Sequence, residues 1–184
     1  MTYLTVGEAV QASRTAYGLS AAAVSAIRKS AATPASTWFD IFLSHSFHDA
    51  EIIAGVARLI EQDGTSVYVD WRDDPLLDRS RVTPETAGRL RERMAHCRFL
   101  LYATSPNTTN SRWMPWELGY FDGLRGGKVG ILPVVSRMGE TFVGQEYLGL
   151  YPRYERIPFT QLGLHLGKYT GKQAGEALTK SVRR

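Results

Sequence analysis

The residues best suited to chemistry lie in the stretch "NSRWMPWELGYFDG" at 110–123. Within it the carboxylate of Glu117 is set among four aromatic side chains, those of Trp113, Trp116, Tyr120 and Phe121. An ionisable acid amid so much apolar surface has two interpretations. Either Glu117 is a helix-end residue on an ordinary core helix, or the rings form a slot for a flat ligand at which the acid is aimed.

Pro115 constrains the helix that carries Glu117. Proline lacks an N–H, is tolerated in the first helical turn and disfavours helix at the residue before it. We therefore predict that the helix begins close to Pro115, with Glu117 in its first turn. A capping box would need Ser or Thr three residues before Glu117, and that residue is Met114. The dipole interaction alone is worth only about 0.3–1 kcal/mol and requires no aromatic surround.

A functional role for Glu117 has a clear physical basis. A helix N-terminus favours the ionised carboxylate even where aromatic rings partly exclude water. An ionised carboxylate stabilises positive charge that develops on a sugar ring, as in glycoside cleavage. Neighbouring rings can stack on a planar base. The stretch is therefore a candidate site for breaking a glycosidic bond.

The elements that must position this helix alternate between strand and helix from Trp38 onward. The predicted strands are "WFDIFLS", "SVYVDW", "RFLLYATS", "VGILPVV" and "YERI". A helix with a Ser46–Asp49 capping box follows the first strand, and Thr83 caps a later helix. This order predicts an α/β, flavodoxin-like, doubly wound parallel sheet of five strands. Ligands of such sheets bind beyond the carboxyl ends of the strands, where the Glu117 helix begins.

Residues 1–36 differ from residues 37–184, which we assign to the main domain. Thr5 and Glu8 form a capping box for a first helix, and Ser20 caps a second one ahead of a linker rich in Ala, Ser, Thr and Pro. We expect this N-terminal helical extension either to pack on the main domain or to serve self-association. Near the other end of the chain, "GKQAGEALTKSV" predicts a closing helix.

The composition excludes several classes of protein. Of 184 residues, 43% are hydrophobic and 22% charged, which is typical of a folded globular protein. The net charge of +4 comes from cations interleaved with acids, so a nucleic-acid partner is disfavoured. The single cysteine, Cys97, allows no internal disulfide or Cys-rich zinc site, and no apolar run is long enough to cross a bilayer. These features predict a cytoplasmic protein with no metal site.

Three motifs follow one another on the predicted elements. The first is "FDIFLSHSFHDAE", and the second is "VYVDW" with the charged, Pro-containing loop after it. The third is "WMPWEL", a W-x-x-x-E arrangement from Trp113 to Glu117. From about Trp38 through Pro158, the chain resembles bacterial, NAD-consuming members of the Toll/interleukin-1 receptor (TIR) domain family.

The resemblance implies an NAD+ glycohydrolase in which Glu117 is catalytic and acts near the ribose attached to nicotinamide. By the same resemblance, NAD+ is the substrate and no cofactor or metal is needed. The substrate-binding residues that it implies are Trp113 at the base, Phe47 and Trp71 as further ring contacts, and Ser46 and Arg72 as polar contacts to ribose or phosphate. Capping remains the alternative role of Ser46.

The products and partners stay open at this point. Loss of nicotinamide would leave an ADP-ribosyl cation, captured by water or by an internal nucleophile, which makes the enzyme a hydrolase or a cyclase. The resemblance implies a role in anti-phage defence of the Thoeris type, self-association through TIR surfaces and a downstream effector that responds to the product. Two alternatives are a non-catalytic interaction module that assembles through the loop after the second strand, and an enzyme similar to nucleoside deoxyribosyltransferases.

Overall fold

The computed structural model describes residues 3–18, 32–62, 64–157 and 165–169. Its helices are α1 (Val6–Tyr17), α2 (Ala50–Glu61), α3 (Asp70–Asp73), α4 (Pro84–Ala95) and α5 (Trp113–Arg125). Its strands are β1 (Leu4–Thr5), β2 (Phe39–Ser44), β3 (Val67–Tyr68), β4 (Cys97–Thr104), β5 (Val129–Val135), β6 (Arg153–Ile157) and β7 (His165–Tyr169). Single 3₁₀ turns occupy Phe47–Asp49, Thr108–Asn110 and Glu146–Leu150.

The strands form one sheet in the order β3-β2-β4-β5-β6-β7, with β1 paired to β5 outside this path. The pairs from β3 to β6 are all parallel, whereas β7 runs antiparallel to β6. The five predicted strands therefore have the flavodoxin-like order and the prediction of the fold is confirmed. The sequence did not predict β1, which pairs at the carboxyl end of β5 (Leu4 with Val134), or β7.

Helices on the two faces of the sheet explain why its strands are apolar on both sides. All seven residues of β5 are buried, as are five of the six in β2. One core cluster contains Ile53 and Val56 of α2, and the other contains Leu90 of α4 and Phe121 of α5. A large aliphatic side chain gains about 1.5–3 kcal/mol when it is fully buried. These two clusters therefore hold the helices against the sheet.

The second predicted strand is shorter than "SVYVDW" suggests. β3 ends at Tyr68, and α3 begins two residues later. The carboxylate of Asp73 accepts the N–H of Val69 at 2.8 Å, and the carboxylate of Asp70 accepts the N–H of Trp71 at 2.6 Å. These local side-chain bonds compete with the strand ladder and turn the chain into a helical turn.

The helix α5 begins at Trp113, two residues before the predicted start. Pro115 is tolerated because it occupies the third position, where an N–H has no partner within the helix. The hydroxyl of Ser111 accepts the N–H of Met114 at 3.3 Å and so supports the earlier start. Glu117 consequently lies just beyond the first turn, and its predicted place within that turn was wrong.

The predicted Ser46–Asp49 capping box is absent. A 3₁₀ turn separates the two residues, and neither side chain makes a capping bond to α2. Asp49 instead accepts hydrogen bonds from Ser105 and, at 2.7 Å, from the amide of Asn107. Asp49 therefore connects the segment after β2 to the segment after β4. The other two predicted caps, at Thr5 with Glu8 and at Thr83, are confirmed.

The first helix of the N-terminal extension packs on the main domain. A Cβ atom at Gly55 of α2 would lie 1.7 Å from the carbonyl oxygen of Ala9 in α1, so the two backbones touch where only glycine fits. The predicted helices that begin at Ser20 and at Gly171 lie outside the described residues. No helix in the described part of the chain is long and apolar enough to cross a membrane.

Candidate active site

Glu117 is buried at the carboxyl edge of the sheet, with no exposed surface. Its Oε2 atom accepts a hydrogen bond of 2.6 Å from the hydroxyl of Ser44, the last residue of β2. The site is thus formed where a strand end and the second turn of α5 meet. This is the edge at which parallel α/β sheets bind their ligands.

Arg79, in the loop between α3 and α4, occupies the other side of Glu117. Its Nη2 atom donates to Oε1 of Glu117 at 2.6 Å, and its Nη1 atom donates to the carboxylate of Asp70. The side chain is only 4% exposed. The indole N–H of Trp113 donates to the carbonyl oxygen of Arg79 at 3.0 Å. Arg79 therefore lies between two buried carboxylates while its backbone is held by α5.

His45 extends the network beyond Asp70. Its Nε2 atom lies 3.2 Å from Oδ1 of Asp70, and its Nδ1 atom lies 2.8 Å from the carbonyl oxygen of Leu43. Since a carbonyl oxygen only accepts hydrogen bonds, the geometry assigns a proton to Nδ1. The described polar side chains at this edge thus run from His45 through Asp70 and Arg79 to Glu117.

The pKa values of the two carboxylates in this network are shifted in opposite directions. Burial raises the pKa of Glu117, and the opposing effects of Arg79 and the Ser44 hydroxyl do not fully offset it. Burial also acts to raise the pKa of Asp70, but Arg79 and His45 hold it well below its ordinary value. From the sequence we expected the helix N-terminus to keep Glu117 ionised. In the structure, burial has the larger effect on the pKa of Glu117 and raises it.

A cleft of about 310 Å³ opens next to this network. Three of the residues predicted to bind substrate, Ser46, Phe47 and Trp113, line it together with Arg79. The remaining lining residues are His48, Ser80, Asn110, Ser111 and Arg112. The lining thus contains two arginines and no carboxylate. Glu117 lies outside the lining and is connected to it through its ion pair with Arg79.

The other two residues predicted to bind substrate lie elsewhere. Trp71 is buried in the core cluster that contains α2. Arg72 pairs with Glu61 at 2.8 Å and donates to the carbonyl oxygen of Val67. Neither Trp71 nor Arg72 lines the cleft.

The four aromatic side chains around Glu117 also differ in whether they line the cleft. Trp113 and Phe121 both belong to the second core cluster, and of the two only Trp113 also lines the cleft. Trp116 stacks on Tyr120 with ring centroids 5.6 Å apart, and the guanidinium of Arg91 in α4 lies 5.7 Å from the Trp116 ring. Most of the aromatic surround is therefore helix packing, and Trp113 remains the ring available for a slot.

Sequence reasoning missed most of the partners of Glu117. The rule that sites form at the carboxyl ends of strands applies to Ser44 and His45 after β2 and to Asp70 after β3. Arg79 carried no comparable signal, because its position depends on the path of a loop. From the sequence, a phosphate contact by Arg79 or Arg81 was only a secondary possibility beside a solvent-exposed role.

Comparison with known proteins is consistent with this geometry. Residues 41–162 match the family model described as TIR domain. The chain is 60% identical over 115 residues to a probable 3′ cyclic ADP-D-ribose synthase of Bacillus cereus (strain MSX-D12), a stretch covering 62% of this chain and 59% of that protein. It is 29% identical over 83 residues to a putative cyclic ADP-D-ribose synthase of Cytobacillus dafuensis, covering 45% of this chain and 22% of that protein.

Among solved structures, the TIR domain of the Toll-related receptor TRR-2 from Hydra magnipapillata matches 60% of this chain and 78% of its own length. The sequence identity is 18% and the TM-score is 0.43. The chain spans less than two thirds of the length of either curated relative.

Proposed function

The chain belongs to the TIR-domain family, and from that premise we propose that it cleaves NAD+ between nicotinamide and ribose. The observation that carries the proposal is the buried Glu117, held by Ser44 and Arg79 beside a cleft lined by cations and aromatic rings. Both curated relatives are named as synthases of cyclic ADP-D-ribose, which supports a cyclic product here.

The proposed chemistry needs one carboxylate at the anomeric carbon. The bond between C1′ of the ribose and the nicotinamide nitrogen breaks, and its electron pair leaves with the nitrogen, so nicotinamide departs as a neutral molecule. The ribose then carries oxocarbenium character, which ionised Glu117 stabilises. A hydroxyl or ring nitrogen of the same ADP-ribosyl unit attacks C1′ to form the cycle, and water at that position gives ADP-ribose. The proton that the attacking group loses passes to the solvent.

The cleft has features that suit a dinucleotide. Its volume of about 310 Å³ holds part of the substrate, and the ring of Phe47 at its surface offers a face for a planar group. Phe47 is 51% exposed and is therefore accessible to a ligand. Arg79 and Arg112 provide positive charge for the two phosphates.

The wider setting forms part of the same proposal. NAD+ is consumed as substrate in the cytoplasm, and the chain associates with copies of itself through TIR surfaces. The product serves as a signal to an effector protein in bacterial anti-phage defence. The single cysteine is buried as a free thiol, in keeping with a reducing compartment.

One observation favours a second candidate, a non-catalytic interaction module. The loop between α3 and α4 exposes 94% of Leu76 and 63% of Val82. Exposed apolar side chains on one loop are a feature of protein-binding surfaces. In this alternative, Glu117 only stabilises the fold, and the protein self-associates without consuming NAD+.

The test is nicotinamide release from NAD+ by the concentrated protein, followed by chromatography. We expect Glu117→Gln to lower release at least about 100-fold, because it removes the charge that stabilises the transition state. Glu85→Gln, at an exposed residue in the first turn of α4, is the matched control and should behave like the wild type. Equal release by wild type and Glu117→Gln would refute the assignment. Stable self-association without release would favour the interaction module.

A further inference from the structure

Both carboxylate oxygens of Glu117 are occupied in this structure. Ser44 donates to Oε2 at 2.6 Å, and Arg79 donates to Oε1 at 2.6 Å. Arg79 is also one of the residues that line the cleft, whereas Glu117 is not, and the side chain of Arg79 is 4% exposed. A ribose that approaches through the cleft therefore meets Arg79 before it meets Glu117.

Resting on the function proposed above, we propose that Arg79 recognises the pyrophosphate of the substrate. When its guanidinium turns from Glu117 to the pyrophosphate, it uncovers the glutamate for the ribose. Substrate binding and exposure of Glu117 then become one event, which only a phosphorylated substrate can bring about.

The charge of the cleft favours an anion. Arg79 and Arg112 line it, and the lining contains no carboxylate, since the two carboxylates that pair with Arg79 lie outside it. A guanidinium presents planar, paired donors that fit phosphate oxygens, and it is less strongly hydrated than an ammonium group. The cleft thus carries the recognition chemistry for a phosphate, and Arg79 joins that chemistry to Glu117.

The guanidinium of Arg79 also has one unpaired N–H donor. Its Nε atom is buried and has no hydrogen-bond partner among the described residues, although both terminal nitrogens are paired. A buried donor without a partner is unfavourable by about 1–3 kcal/mol. A phosphate oxygen that reaches Nε and one terminal nitrogen together would relieve this penalty while Asp70 retains the other terminal nitrogen.

The backbone around Arg79 allows the side chain to turn without a loop movement. The indole of Trp113 holds the Arg79 carbonyl oxygen at 3.0 Å, and the hydroxyl of Thr86 holds the carbonyl oxygen of Asp78 at 2.9 Å. The side chain rotates about its single bonds, so the guanidinium can move away from Glu117 while the backbone of Arg79 keeps its position. The expected motion is a rotamer change of Arg79.

Two substrates separate this role from a purely structural one. Nicotinamide riboside has the same scissile bond as NAD+ but no phosphate, so it cannot draw Arg79 away from Glu117. We expect wild-type kcat/KM to be far higher for NAD+ than for the riboside. In Arg79→Gln, kcat/KM for NAD+ should fall about 100-fold, the scale of a lost charged hydrogen bond. The value for the riboside should fall much less, because Glu117 is already uncovered and loses only the cation that favours its ionised form.

The controls keep the proposal open to refutation. Arg81→Gln removes the same charge from an exposed residue of the same loop and should leave the ratio of the two kcat/KM values unchanged. Arg79→Lys keeps the charge without the paired donors and should lower the ratio about 10-fold, a variant that also serves if Arg79→Gln does not fold. An equal loss on both substrates in either variant would refute the proposal that Arg79 uncovers Glu117 when it binds the pyrophosphate. The proposed function would be unaffected.

A binding measurement does not depend on turnover. Calorimetry with inorganic pyrophosphate should show binding to the wild type and to Arg81→Gln, and binding at least about 10-fold weaker to the Arg79 variants. Equal binding to all of these proteins would overturn the assignment of Arg79 to the pyrophosphate. Pyrophosphate binding that depends on Arg79 without nicotinamide release would support the anion site and count against the proposed function alone.

Discussion

Two arginine–carboxylate networks begin at neighbouring positions, one at Asp70 and the other at Asp74, and they differ in how completely they are satisfied. Arg93 donates to both oxygens of Asp74, at 2.6 and 2.8 Å, and to the carbonyl oxygens of Pro34 and Thr33, at 2.7 and 2.5 Å. All three of its nitrogens are paired. In the Asp70 network, Arg79 leaves Nε without a partner and lies beside the cleft.

This difference in pairing assigns a structural role to the Asp74 network and a ligand-binding role to the Asp70 network. A saturated network, in which every arginine nitrogen is already paired, stabilises one arrangement and has no unpaired nitrogen for a ligand. The Asp74 network ties residues 33 and 34 of the linker to the core and lowers the pKa of Asp74, against the opposing effect of burial. The Asp70 network retains an unused donor, and its two carboxylates have pKa values shifted in opposite directions. Such divided carboxylates are typical of catalytic sites.

The strongest test of this comparison removes the cation of the saturated network. Arg93→Met should lower the free energy of unfolding by about 1.5–3 kcal/mol, because Asp74 loses its most buried cation and retains Arg89 and the hydroxyl of Tyr68. The value of kcat/KM per folded molecule should stay near that of the wild type. Urea denaturation and nicotinamide release measure the two quantities. Arg91→Met on the same helix, at an exposed residue, is the control and should change the stability by less than about 1 kcal/mol.

A large loss of activity in folded Arg93→Met would contradict the separation. It would show that the Asp74 network serves the site as well as the fold.

A smaller effect is expected from Ser44→Ala, which acts on the pKa of Glu117. The Ser44 hydroxyl stabilises the ionised form and opposes the rise in pKa that burial causes. Without it the pKa rises further, so the carboxylate is lost at a higher pH as the solution is acidified. The acid limb of the pH profile of kcat should therefore move to higher pH, with activity near neutrality lower by about 10-fold. Ser46→Ala, at the cleft, is the comparison and should leave that limb in place.

An unmoved acid limb in Ser44→Ala would mean that the titration of Glu117 does not limit the reaction.

The smallest effect should come from Trp113→Phe. The change keeps a ring at the cleft but removes the indole N–H that holds the carbonyl oxygen of Arg79 at 3.0 Å. One such bond is worth about 0.5–1.5 kcal/mol, so kcat/KM for NAD+ should fall a few-fold. Trp116→Phe, which alters the ring stacked on Tyr120, controls for loss of aromatic area. If both variants behave alike, the bond to Arg79 does not position the site.

Much of the fold could be predicted because local patterns determined it. Strand β5 has the predicted bounds, since a run of apolar residues buried on both faces has few other solutions. The caps at Thr5 and Thr83 were readable because they involve residues only three positions apart. Prediction failed at α3 and at the start of α5, where single side-chain bonds by Asp73 and Ser111 moved the boundaries. Propensity does not determine such bonds.

The candidate site was predictable in part for the same reason. Glu117 and Trp113 stood out because they lie in one short stretch, and Ser46 and Phe47, which the family resemblance implied, come soon after the first predicted strand and so lie at the same edge. Arg79 is 38 residues from Glu117 in sequence, and only the folded loop shows that they touch.

The close approach of Ala9 to Gly55 affects where this protein can be divided. The stretch that matches the TIR family begins at residue 41, after both β1 and α1. Those elements nevertheless extend the sheet beside β5 and fill the place of a side chain at Gly55. We therefore expect the cooperative unfolding unit to be larger than the region that the family shares. A boundary drawn by homology alone would cut through the interior that supports the sheet edge at Glu117.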